Sequence, residues 1–131
     1  MKQLYLEDIQ LLVKGMVLAE HVYIGKLDAK EQKSIGIYPF KDGSRYEHGV
    51  GRELTYGSKK VSFLVHWNKS PSDTEKAAIA LFENLVQVKE ERINEKDILF
   101  VRPLTDEPVG VGTDESGIYE MVIEAEFVYE R

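Results

Sequence analysis

Near the start of the chain, Leu6, Ile9, Leu12, Val13 and Met16 recur at spacings of three and four, which places them on one side of a helix that Gly15 ends. The pattern then shifts to short β-branched and aromatic runs, HVYIGKL and SIGIYPF, divided by the polar DAKEQK. These predict two neighbouring strands, with Pro39 setting the second at an edge or a strand end. SKKVSFLVHWNK alternates, with Val61, Phe63, Val65 and Trp67 on a core face and Ser62, Leu64 and His66 on the other. SPSDTEKAAIALFENL predicts a second helix. Ser72 is expected as its N-cap, in a capping box with Glu75, with Asp73 near the positive end of the dipole and Ala78, Leu81, Phe82 and Leu85 as the buried stripe. KDILFVRPL is a further strand ended by Pro103.

Two stretches do not follow a simple period. Residues 41–57, KDGSRYEHGVGRELTYG, hold four of the ten glycines and predict a long flexible loop or splayed hairpin, with Tyr46, Arg52 and Tyr56 as its larger side chains. The closing GVGTDESGIYEMVIEAEFVYER begins with glycines and acids that suit a phosphate cradle, a metal loop or a hairpin tip. A phosphate loop requires Lys and then Ser or Thr after its last glycine, whereas Gly117 is followed by Ile118 and Tyr119. A calcium loop requires oxygen ligands at alternate positions and a later bidentate Glu, which DESG does not supply. TDESG does match a type I turn closed by a left-handed glycine, so it predicts a hairpin. Strands outnumber helices and are joined mainly by turns. The expected fold is α+β, an antiparallel or mixed β-sheet with two helices packed on one face, in a single domain of residues 1–131.

The strand after that turn carries a second pattern. Tyr119, Met121, Ile123, Ala125, Phe127 and Tyr129 share one face, while Glu120, Glu124, Glu126 and Glu130 share the other. Such a row is either a solvated face or a surface that must lie near a polyanion without holding it.

Composition narrows the chemistry. With 131 residues and 43% hydrophobic content the chain builds one core, and its net charge of −6 disfavours non-specific nucleic-acid binding. The absence of cysteine removes disulfides, thiolate zinc sites and thiol nucleophiles. Glu7 and Asp8 interrupt the first apolar stretch and no segment reaches membrane-spanning length, so a soluble, unprocessed chain is expected. His21, His48 and His66 lack zinc-site spacing, and no G-x-S-x-G elbow occurs. Lys41, Arg45, Arg52, Lys59 and Lys60 are too few to predict a nucleic-acid surface. No catalytic, cofactor-binding or metal residues are assigned.

The order of these segments, with VYIGKLDAKEQKSIGIYPF, VHWNKSPSDTEKAAIALFENL and VRPLTDEPVGVGTDESGIYEMVIEAEFVYER, resembles the small phage minor capsid or head-tail joining proteins of Gram-positive prophages, and within them the tail terminator proteins of long-tailed phages. The resemblance covers nearly the whole chain, least clearly residues 41–56. It implies a non-enzymatic structural protein of the virion's head-tail junction, present in the host cytoplasm during assembly. It also implies a homo-oligomeric ring, usually a hexamer, that caps the tail tube and meets the head connector. DNA would pass through the lumen without specific binding, and neither a cofactor nor a membrane is implied. On that reading Glu120, Glu124, Glu126 and Glu130 are candidates for the ring lumen, and Tyr46, Arg52 and Tyr56 for an assembly contact. A tail tube or tail completion protein is the alternative within the class. A small metal-dependent hydrolase or nuclease, using carboxylates such as Asp106, Glu107 and Asp114, is the alternative outside it.

Overall fold

The computed structural model describes residues 2–16, 19–40 and 56–131. Helix α1 (Leu6–Lys14) is followed by strands β1 (His21–Ile24), β2 (Ser34–Pro39) and β3 (Tyr56–His66), and then by helix α2 (Pro71–Val86). Strands β4 (Lys89–Ile93), β5 (Lys96–Pro103), β6 (Val109–Thr113) and β7 (Tyr119–Glu130) complete the order. The seven strands form one mixed sheet in the order β1-β2-β3-β7-β5-β4, with β6 paired to β7 alone. The pairs β2/β3, β3/β7, β4/β5, β5/β7 and β6/β7 are antiparallel, and β1/β2 is parallel.

Alternation along β3 and β7 decides which side of the sheet is core. Val61, Phe63 and Val65 stand opposite Ala125, Ile123 and Met121, and all but Met121 are buried. Phe127 and Tyr129 extend the same face, and the Phe63 and Phe127 rings lie 6.1 Å apart in a tilted pair. Ile9 and Val13 of α1 and Ala78, Leu81 and Leu85 of α2 join these residues in one apolar cluster. Both helices therefore cover the same face of an α+β sheet, as the sequence predicts.

α1 also explains the shape of the sheet. Its Gln10 side chain donates to the Val22 carbonyl on β1 at 2.8 Å, while its Asp8 accepts from Asn94 and Lys96 of the β4–β5 hairpin at 2.8 and 2.6 Å. β1 and β4 are the two ends of the strand order. One short helix can reach both only because the twisted sheet curls round it. The clasp is buried: Asp8 is 1% exposed, also accepts from the Tyr5 backbone N–H, and the Lys96 ammonium lies 4.3 Å from the Tyr5 ring centroid. Burial opposes the Asp8 charge, but hydrogen bonds from Lys96, Asn94 and Tyr5 prevail and hold its carboxyl below the ordinary value of 3.8.

Some expectations need correction. The N-cap of α2 is Ser70, not Ser72: its hydroxyl accepts from the Asp73 N–H, and Pro71 takes the first helical position. Proline suits that site because its fixed φ is already helical and its missing N–H has no partner there in any case. Tyr56 and Gly57, expected in the loop, are the first residues of β3 and pair with Glu130 and Tyr129. The rest of that loop, Tyr46 and Arg52 included, lies outside the described residues. β4 is a strand the sequence pattern did not predict.

Candidate assembly surface

The face of the sheet turned away from the helices carries Ser62 and Leu64 from β3, Val122, Glu124 and Glu126 from β7, and Phe100 and Arg102 from β5. Its β1–β2 end is covered by residues 25–33. There a Cβ on Gly36 would lie 3.0 Å from Leu27 of that connection and 2.8 Å from the ring of Tyr38 in its own strand, so a larger residue would have to displace both side chains. Among the described residues no other segment is packed over the remainder of the face, on which Val128 is buried.

All four predicted carboxylates lie along β7 on this face, but their surroundings differ. Glu120 accepts from His66 Nδ1 at 2.8 Å, and His66, fully buried, presents Nε2 to the Ala29 carbonyl at 3.0 Å. Asp114 comes within 3.8 Å of the same ring. A neutral imidazole carries one N–H and satisfies one of the two acceptors, whereas the doubly protonated ring satisfies both. His66 thereby ties β3, the start of β7 and the connection over the face into one node.

Glu126 is held by Arg102 through Nε at 2.9 Å and Nη2 at 2.6 Å, and stands opposite Lys60 in the register. Glu124, opposite Ser62, and the exposed Glu130, opposite Tyr56, take part in no ion pair or side-chain hydrogen bond among the described residues. Two of the four carboxylates thus meet cationic or proton-donating partners within the chain, and the uncompensated charge of the row falls on Glu124 and Glu130. The sequence alone did not reveal the His66–Glu120 and Arg102–Glu126 pairs, because each depends on strand register. Once β7 is set against β3 and β5, residues of matching parity face each other and the pairs follow.

The TDESG turn holds the start of this row. Gly117 donates to the Asp114 carbonyl at 3.1 Å and adopts φ 82°, and the Asp114 carboxylate accepts from the N–H groups of Ser116 and Ile118, each at 2.9 Å. This is the predicted hairpin tip. The Ile118 N–H holds the Asp114 carboxyl below its ordinary value; partial burial opposes it, and Ser116 and the nearby His66 assist. The carboxylate is committed to its own turn, which leaves the stretch no phosphate cradle. Among the described residues no three His, Asp or Glu side chains converge as metal ligands, Asp106, Glu107 and Asp114 included. No helix among them is long and apolar enough to cross a membrane.

Residues 5–131 match the family model described as bacteriophage tail terminator protein. The chain belongs to that family. It is accordingly a structural component of a phage virion that works with other virion proteins during assembly. No curated protein matches the chain. In this fold one sheet face is filled by the chain's own helices, and the other carries the carboxylate row.

Proposed function

We propose that this tail terminator forms a closed ring, of about six subunits by its family resemblance, that caps the tail tube and joins it to the head connector at the head-tail junction. The observation that carries the reading is the row of carboxylates on the one sheet face that the helices leave open. A ring through which DNA travels needs a lining that repels phosphate, and Glu120, Glu124, Glu126 and Glu130 are assigned to that lining. Because Glu120 and Glu126 have partners in the chain, Glu124 and Glu130 carry most of the repulsion. Tyr46, Arg52 and Tyr56 are assigned to contact with the tube or a neighbouring subunit.

Light scattering behind a sizing column, across a concentration series and with negative-stain images of the largest species, tests the ring. A closed ring is the expected result. Open stacks would instead indicate a tube or completion protein. A ring whose structure places Glu124 and Glu130 on the outer wall would remove the lumen assignment while leaving the ring intact.

A further inference from the structure

Among the described residues three strands have a single strand neighbour: β1, β4 and β6. An unguarded edge of this kind offers a row of backbone donors and acceptors to any extended chain, and proteins normally block it. β1 is blocked by α1, whose Gln10 side chain occupies the Val22 carbonyl. β4, KEERI, is blocked by charge, with Lys89, Glu90, Glu91 and Arg92 exposed in sequence and Glu90 kinked at φ 50°. Among the described residues β6 has neither a covering helix nor charges within the strand, and its guards are its short length and a bulge at Val111, where the register shifts between Gly110 and Gly112. It reads VGVGT, every residue is exposed, and its two valines are 49% and 53% exposed. Phe100 and Leu104, also exposed, lie on the same side of β7: Phe100 pairs with Val128, and the Leu104 N–H reaches the Glu124 carbonyl.

We propose that the outer edge of β6 docks an extended segment of a protein partner, one that carries apolar side chains at alternate positions and basic residues at its ends. Backbone pairing supplies the attraction, and the exposed Val109 and Val111, the latter at the bulge, with Phe100 and Leu104 offer apolar contact to the partner's side chains. Charge selects the ends. Exposed Asp106 and Glu107 precede the strand, and Asp114 and exposed Glu115 follow it. The same charges argue against a second copy's β6 as the occupant. Antiparallel pairing would set Asp106 and Glu107 against Asp114 and Glu115, and parallel pairing would set each acid against its own copy, so both place acid on acid. The proposal does not depend on ring closure.

The test uses the intact chain and a labelled, end-blocked peptide, KVTVTVR, with EVTVTVE as its counterpart. Fluorescence anisotropy reads affinity, and backbone hydrogen exchange reads the location. Saturable binding of the basic-ended peptide is expected, about tenfold tighter than the acidic-ended one, with slowed exchange centred on Val109–Thr113. Val111→Lys should weaken binding by about tenfold with the fold intact, since edge lysines oppose pairing at an exposed position. The double change Asp106→Lys and Glu107→Lys should remove or invert the preference between the two peptides, a response that a general loss of structure would not give. Absence of saturable binding, equal binding of both peptides, or protection elsewhere on the sheet would each overturn the proposal. So would a Val111→Lys variant that loses self-association while the wild-type chain ignores both peptides, since the occupant would then be a second copy.

Discussion

The two faces of the central β3–β7 pair are built from alternate residues of the same two strands, yet they are organised by different physics. On the helix side, Phe63, Ile123, Ala125 and Phe127 are buried with α1 and α2 in one cluster, and their contribution is area removed from water. On the open side, Ser62, Leu64, Glu124 and Glu126 are only partly covered, and what order there is comes from pairs such as His66 with Glu120 and Arg102 with Glu126. The first face holds the subunit together. The second is covered by neither helix, and its order rests on a few polar pairs.

If this division is right, substitutions should separate cleanly by face. Phe63→Ala removes a fully buried ring and should cost about 3–5 kcal/mol in urea unfolding, enough to leave a small domain marginal. Asp8→Ala strands Lys96 in the clasp between the sheet's ends and should cost about 3 kcal/mol, the lower end of the range for a broken buried pair because Lys96 keeps some contact with solvent. Its pH dependence follows from the lowered carboxyl. Folding favours the ionised form, so the contribution is complete above the ordinary value of 3.8 and is lost as pH falls through the lower folded value. Unfolding free energies measured over that acid range should decline more steeply for the wild-type chain than for Asp8→Ala.

The open face should respond in two grades. Glu120→Gln weakens the acceptor for buried His66 and should cost about 1.5 kcal/mol, as for a hydrogen bond that loses its charge. Glu124→Gln has no partner to lose among the described residues and should stay within about 0.5 kcal/mol of the wild type. Chemical denaturation of the two variants side by side checks the order. Equal losses at Glu120 and Glu124 would show that the face is uniform and that the His66 node has no separate role.

Much of this division was legible in the sequence because it rests on local periodicity. The odd-numbered core residues of β3 and β7, the α2 stripe of Ala78, Leu81 and Leu85, and the Gly117 turn all follow from spacing and turn chemistry. Other features depend on tertiary context. β4 has no apolar alternation, and it is a strand because the edge of β5 needs a backbone partner. The parallel pairing of β1 with β2 is made by a connection without a helix, so it lacks the usual βαβ signal. The choice between Ser70 and Ser72 was open to Pro71, which favours the first helical position and so marks the serine before it as the cap. In the candidate site, the row of carboxylates was visible, but its neutralisation was not. His66 lies 54 positions from Glu120 and Arg102 lies 24 from Glu126, and only the strand register brings each pair together.

The place of β7 in the sheet also bears on how the subunit is made. It pairs with β3, β5 and β6, and it leaves the ribosome after all of them. Until it arrives, the earlier strands lack their common neighbour, and α1 has been waiting for Asn94 and Lys96 across 86 and 88 positions of sequence. Such distant closures form late, so a nascent chain cut short before Tyr119 has neither the carboxylate row nor the sheet that presents it. The central strand of the sheet is therefore the last one made, and the sheet cannot close round it until β7 has been added.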